Sequence, residues 1–90
     1  MAPIWKPSTD KHGIPRAEAI SAILNASYTD ALDDATPEGY IKLYIGRPHP
    51  QSRRELEILV QHFDDGREAI VFHVMELGPK YRRYREENPQ

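Results

Sequence analysis

Cysteine is absent from this chain of 90 residues, and that absence removes several chemistries at once. There is no disulfide framework to brace a small core, no thiolate nucleophile and no thiolate zinc site. No apolar run approaches the roughly 18–20 residues needed to span a bilayer. Met1 to Gly13 carry neither the basic start nor the apolar centre of a signal peptide. A cytoplasmic protein without a membrane partner is therefore expected, and the glycosylation pattern at Asn25-Ala26-Ser27 has no weight without secretion. Internal repeats and low-complexity tracts are lacking too. So is an excess of charge of one sign: 12 basic residues face 14 acidic ones, a formal net charge of -2, which argues against a generic nucleic-acid coat. A chain this short reads as one domain, residues 1–90, that buries only roughly 60–65% of its unfolded surface.

The charges that are present are unevenly placed. Up to Tyr40 the chain has three basic and six acidic residues, and from Ile41 to Arg85 nine basic and six acidic. Any face that binds a polyanion is expected in the second half.

Pro3 and Pro7 make the first nine residues extended, with Ile4 and Trp5 as anchors. From Pro15, the spacing of Ala17, Ile20, Ile23 and Leu24 predicts a helix ending near Ala26, with proline at its first position. Residues 27 to 39 read as an acidic loop, with room for a short second helix, closing on a turn at Pro37-Glu38-Gly39. The period then changes. Ile41, Leu43 and Ile45 alternate with Lys42 and Tyr44, a second apolar run covers Glu55 to Phe63, and a third covers Arg67 to Leu77. Asp65-Gly66 between the last two is a hairpin signal. Gly78-Pro79 ends the strand and Lys80 to Glu87 follow as a short helix. The fold class expected is α+β: an N-terminal helix packed on a three- or four-stranded antiparallel sheet, with a short C-terminal helix.

A two-residue turn at Asp65-Gly66 would set Val60 opposite Val71 and Ile58 opposite His73. It would put His62 and His73 on one face of the sheet, about 13 Å apart, too far to share a metal ion. A three-residue turn with a bulge would change that facing. His12 and His49 lie in loops with no acidic residue at a ligand spacing, so neither a metal site nor a cofactor is expected. His73 is then either a core-edge histidine satisfied by backbone or a site residue beside the cationic tail.

Two segments gather cations. The connection Arg47-Pro48-His49-Pro50-Gln51-Ser52-Arg53-Arg54 is long for a hairpin, and long connections more often carry function than tight turns do. In the tail, Lys80, Arg82, Arg83 and Arg85 interleave with Tyr81 and Tyr84. Such a pattern can track a phosphate backbone while bases stack on the rings; it also describes an ordinary amphipathic helix whose tyrosines pack on the sheet. A third cationic spot is Lys11-His12-Gly13. Gly13 can supply a backbone conformation other residues resist, whereas positive charge before a helix N-terminus is not intrinsically favoured. A helix start alone does not call for Lys11 and His12.

Trp5, Asp10-Lys11-His12-Gly13 leading into the first helix, Ile45-Gly46-Arg47 in the first strand of the sheet and a cationic helix after the last strand together resemble BrnT-type toxins. These are ribonuclease toxins of bacterial type II toxin–antitoxin pairs, with a RelE-like fold. The resemblance implies a metal-independent endoribonuclease acting on RNA, and a small cognate antitoxin that binds it and represses their shared promoter. Carried over by position, the basic motif residues are Lys11, His12 and Arg47. With His73 they form the expected catalytic set, while Arg53, Arg54, Lys80, Tyr81, Arg82 and Arg83 form the expected RNA-binding set. Where the family's last strand runs into an arginine, this chain reads Met75-Glu76-Leu77, and its cations come later. Histidine near neutrality suits the proton transfers of RNA cleavage, and arginine suits phosphate oxygens. The alternative reading is a non-enzymatic interaction module of the same fold, either a degenerate toxin or a regulatory partner, using the same surface to bind protein.

Overall fold

Leu56 to Val60 are all buried, which is what a central strand covered on both faces requires. The computed structural model describes residues 3–32 and 38–90. In chain order it has β1 (Ile4–Trp5), a 3-10 turn (Pro7–Asp10), α1 (Arg16–Leu24), β2 (Tyr28–Leu32), β3 (Gly39–Gly46), β4 (Leu56–Phe63), β5 (Ile70–Glu76) and α2 (Pro79–Glu87). The strands form one five-stranded sheet in the order β1-β5-β4-β3-β2. β1 runs parallel to β5 and the other neighbours are antiparallel. The α+β class holds, but the sheet is five-stranded and mixed rather than three- or four-stranded and antiparallel. No helix among the described residues is long and apolar enough to cross a membrane.

The two extra strands come from segments with weak signals. β1 is two residues long, held by the Ile4 N–H to Ala69 carbonyl and Lys6 N–H to Val71 carbonyl bonds. β2 occupies part of the expected acidic loop, and its central Asp30 is accommodated because Tyr84 Oη donates to it at 2.7 Å. The rest of that loop, with Pro37 of the expected turn and the site of the expected short helix, lies largely outside the described residues.

Side-chain alternation divides the core between the two faces of the sheet. On one face Ile58, Val60, Val71 and Val74 pack under Ala19 and Ala22 of α1. On the other, Leu43, Ile45 and Leu59 pack under Leu77 and Tyr81, the latter from α2. α1 buries a different stripe from the one its large residues predict. Ala19 and Ala22 are fully buried, whereas Ile20 and Leu24 are 41% and 77% exposed. The reason is close approach: a Cβ on Gly46 would lie 2.3 Å from the Ala22 carbonyl oxygen, so only small side chains fit between α1 and β3.

The β4–β5 connection also departs from expectation. It runs over residues 64–69 rather than through a two-residue turn, with Gly66 at φ 87°. Val60 does pair with Val71, but a β-bulge at Leu59/Val60 then shifts the register, so Leu59 faces His73 and Ile58 faces Val74. Phe72 is the extra residue. His73 therefore shares the α2 face with Leu59, while His62 lies on the α1 face with Val60; the two histidines are on opposite sides of the sheet.

Replacing Gly46 by alanine should push α1 off β3 and destabilise the protein by about 1–3 kcal/mol, the usual cost of overpacking. Urea unfolding should show a lower midpoint at unchanged slope; an unchanged midpoint would show that the helix can shift freely.

Candidate active site and cationic rim

The register places Gly46, Leu56 and Glu76 in one row, so the β3–β4 connection, the end of β5 and the start of α2 meet at one end of the sheet. Near this end β4 directs Glu57 toward the α2 face, where it is only 4% exposed. A carboxylate removed from water must be paired and hydrogen-bonded. Glu57 Oε2 accepts from His73 Nε2 at 2.7 Å, and Oε1 accepts from the Gly78 N–H at 2.7 Å. With Nε2–H donating to the carboxylate, the lone pair of a neutral His73 ring lies on Nδ1. The His73 side chain is 28% exposed, so a ligand can reach it.

His12 meets it there. Its ring centroid lies 6.3 Å from that of His73, with the planes at 76°. The turn that brings it is built by Gly13, at φ 70°, whose N–H donates to the Asp10 carbonyl. Lys11-His12-Gly13 is therefore more than a helix start: the glycine supplies a left-handed residue, and the histidine lies against the end of β5.

A groove of about 520 Å³ opens beside His12, lined also by Ile14, Glu18, Arg54, Met75 and Glu76. Arg54 crosses it, with Nε 2.9 Å from Glu76 and a terminal nitrogen 3.8 Å from Glu18. Two further hollows continue the surface. Arg53 and Arg82 join Arg54 and Glu76 around one of about 250 Å³. Arg47 and His49 join Ser21, Asn25 and Glu55 around another of about 450 Å³. Shared residues link the three in series: Arg54 and Glu76 between the first two, Glu55 between the last two. Glu18, Ser21 and Asn25 recur at i, i+3 and i+7, so one polar stripe of α1 walls both the groove and the far hollow.

The expected site residues are thus distributed rather than convergent. His12 and His73 come together with a partner that sequence reasoning missed, Glu57. Lys11 is exposed next to His12. Arg47 belongs to the far hollow and does not line the His12 groove. Arg53, Arg54 and Arg82 line the middle of the track, while Lys80 and Arg83 are exposed on α2. Tyr81 is the clear correction: it is 9% exposed, packed into the core, and cannot offer its ring to a base. Lys11, Arg47, Arg53, Arg82 and Arg83 form no ion pair among the described residues. Glu57 did leave a signal: a lone acid inside Leu56 to Val60, a run apolar enough to be buried on both faces, has to find a partner.

The remaining histidines belong elsewhere. His49 lines the far hollow. His62, on the α1 face, shares a 2.9 Å hydrogen bond with Tyr44 Oη and stacks on Tyr40; burial, then Lys42, pushes its pKa down. Among the described residues no three His, Asp or Glu side chains could hold a metal ion together.

Glu55 anchors the rim through a bidentate pair with Arg85, at 2.7 and 3.2 Å. That hydrogen-bonded guanidinium holds the Glu55 carboxyl below its ordinary 4.5 against the opposing effect of burial, and the fields of Arg82 and Arg47 add to the lowering. Comparison of the chain with protein-family models, with curated proteins and with solved structures returns no match.

A carboxyl whose folded pKa is depressed contributes stability that is present above the unfolded value and lost as pH falls through the folded one. Arg85→Ala should accordingly cost on the order of 1 kcal/mol near neutrality, with the gap from wild type closing as the pH drops well below 4.5. Urea unfolding of both proteins across that range checks this, and a gap that does not change with pH would refute it.

Proposed function

We propose that this chain is a metal-independent endoribonuclease acting on RNA in the cytoplasm, the toxin half of a type II toxin–antitoxin pair. The observation that carries the reading is the Glu57–His73–His12 arrangement. Two imidazoles lie 6.3 Å apart between ring centroids, and one of them is oriented by a buried carboxylate. Such a pair can sit on either side of one phosphodiester. The Lys11-His12-Gly13 and Ile45-Gly46-Arg47 motifs and their resemblance to BrnT-type toxins support the same reading, and with it a RelE-like relationship and a small cognate antitoxin as partner.

The chemistry follows from the two rings. His73, with Nε2–H engaged by Glu57, takes the 2′-hydroxyl proton on Nδ1. The 2′-oxygen forms a bond to phosphorus as the bond to the 5′-oxygen breaks. His12, protonated, gives its proton to that leaving oxygen. The products are a 2′,3′-cyclic phosphate and a free 5′-hydroxyl, and the second proton stays on His73 until water exchanges it. Arg54 lines the groove beside His12 and supplies a cation to steady the phosphorane-like charge. Arg54 must first exchange Glu18 and Glu76 for phosphate oxygens.

A second reading keeps the fold and drops the chemistry. Ile20 and Leu24 leave an apolar strip on the outer side of α1, and Lys11, Arg47 and the α2 cations do not converge on the His12 groove; both suit a non-enzymatic interaction module, either a degenerate toxin or a regulatory partner. Incubation with long RNA decides between the two. Cleavage should persist in EDTA and leave cyclic phosphate ends, and His12→Ala or His73→Ala should lower the rate by about 10²–10⁴. Glu57→Gln keeps an acceptor for Gly78 but turns an amide toward Nε2, which moves the ring proton to Nδ1. It should lower kcat by about 10² or more at near-constant KM. Folded protein that leaves RNA intact under every condition would favour the interaction module.

A further inference from the structure

The far hollow has a donor and acceptor pattern that the cleavage chemistry does not use. Its volume, about 450 Å³, falls within the roughly 300–1,000 Å³ range of small-ligand sites. Arg47 brings a guanidinium with no ion pair among the described residues. Opposite chemistry comes from Glu55, whose two oxygens accept from Arg85 and retain further lone pairs. Asn25 adds an acceptor: its Nδ2 donates back to the Ser21 carbonyl at 3.1 Å, leaving Oδ1 without a partner among the described residues. The wall is held in place from both sides. Pro48 is buried, and the Ser52 N–H donates to the His49 carbonyl while the Arg54 N–H donates to Ser52 Oγ.

A pure phosphate site would present donors alone. A carboxylate and an arginine lining one hollow instead suit a planar ligand with acceptors on one edge and N–H groups on the other. Among nucleobases, guanine has that pattern: O6 and N7 accept from an arginine fork, and N1–H and the N2 amino group donate to a carboxylate. Adenine would turn an amino group toward the arginine, and uracil and cytosine lack the N7 acceptor. We infer that this hollow is a guanine-specificity pocket, in which Arg47 donates to O6 and N7, Glu55 accepts from N1–H and N2–H, and Asn25 accepts at the rim.

This inference rests on the ribonuclease reading for its biological setting: the base would belong to the strand cut at His12 and His73. The shared polar stripe of α1 sets the spacing. Glu18 at the groove and Asn25 at the hollow are about 10 Å apart along the helix, so the recognised guanine lies near the scissile bond rather than on it.

NMR titration of the full chain with GMP, AMP, CMP, UMP and inorganic phosphate tests the pocket without relying on cleavage. GMP should perturb the amides of Ser21, Asn25 and Arg47 to Ser52 and bind on the order of tenfold or more tighter than AMP. Arg47→Ala should abolish that preference, and Arg47→Lys should too, since an ammonium keeps the charge but not the fork. Equal affinity for all four nucleotides, or the same perturbations from phosphate alone, would overturn the inference by reducing the hollow to an anion site. Cleavage by the histidine pair without guanosine preference in short RNAs would also overturn it and leave the ribonuclease reading standing. A GMP preference in a protein that cuts no RNA would keep the pocket and remove the ribonuclease.

Discussion

A carboxylate buried as deeply as that of Glu57 would cost several kcal/mol if left unpaired, and meeting that constraint organises the end of the sheet where the candidate chemistry lies. Its two oxygens bind two different elements: the His73 ring on β5 and the Gly78 amide at the N-terminus of α2. That amide is one of the orphan donors at a helix start, and the positive end of the helix dipole favours a negative partner there. Three elements are thus fixed by one side chain. Well-packed apolar residues of the same volume would serve stability as well or better. A buried ionic group whose imidazole partner remains partly open to solvent is what the proposed cleavage requires of His73: some stability given up to hold a ring in place.

The bulge makes that pairing available. Without the extra residue at Phe72, His73 would stand opposite Ile58 and point beneath α1 into an apolar layer, away from both Glu57 and His12. The bulge turns it to the other face. Re-aiming a side chain beside an active site is a common use of this device. The same geometry explains why the candidate pair was not legible from spacing. His12 and His73 both stand out in the sequence, but their meeting depends on a register shift that hydrophobic alternation does not encode.

Legibility elsewhere follows the same division between local and tertiary causes. β3 and β4 were readable because Ile41, Leu43 and Ile45, and the apolar run after Glu55, carry strong local patterns; Gly78-Pro79 marked the start of α2. β2 was not, because the acid at Asp30 becomes tolerable only when Tyr84 arrives from α2. β1 is too short to have a period. On α1, hydrophobic size points to the wrong buried stripe. What decides there is how near β3 comes at Gly46, and only alanine at Ala19 and Ala22 permits that approach. Tyr81 was readable either as a stacking platform or as core, and the cover that the second face of a central strand requires makes it core.

Net charge is a coarse guide for a related reason, since it sums over distances at which charges no longer interact. Arg47, Arg53, Arg54 and Arg82 gather at the end of the sheet where β4 begins, whereas Asp64, Asp65 and Glu68 lie beyond the end where it finishes. Eight residues of β4 span about 26 Å at the usual rise, roughly three Debye lengths at physiological ionic strength. Across that span those acids scarcely weaken the field at the rim, where Glu18, Glu55 and Glu76 are the acids that matter. At that far end Arg67 pairs with Asp65 and Glu38, so for the proposed RNA partner the contrast between the two ends, rather than the total, would set the approach. An overall charge of -2 is therefore compatible with binding RNA, because local polarity and not the total decides how such a strand meets this surface.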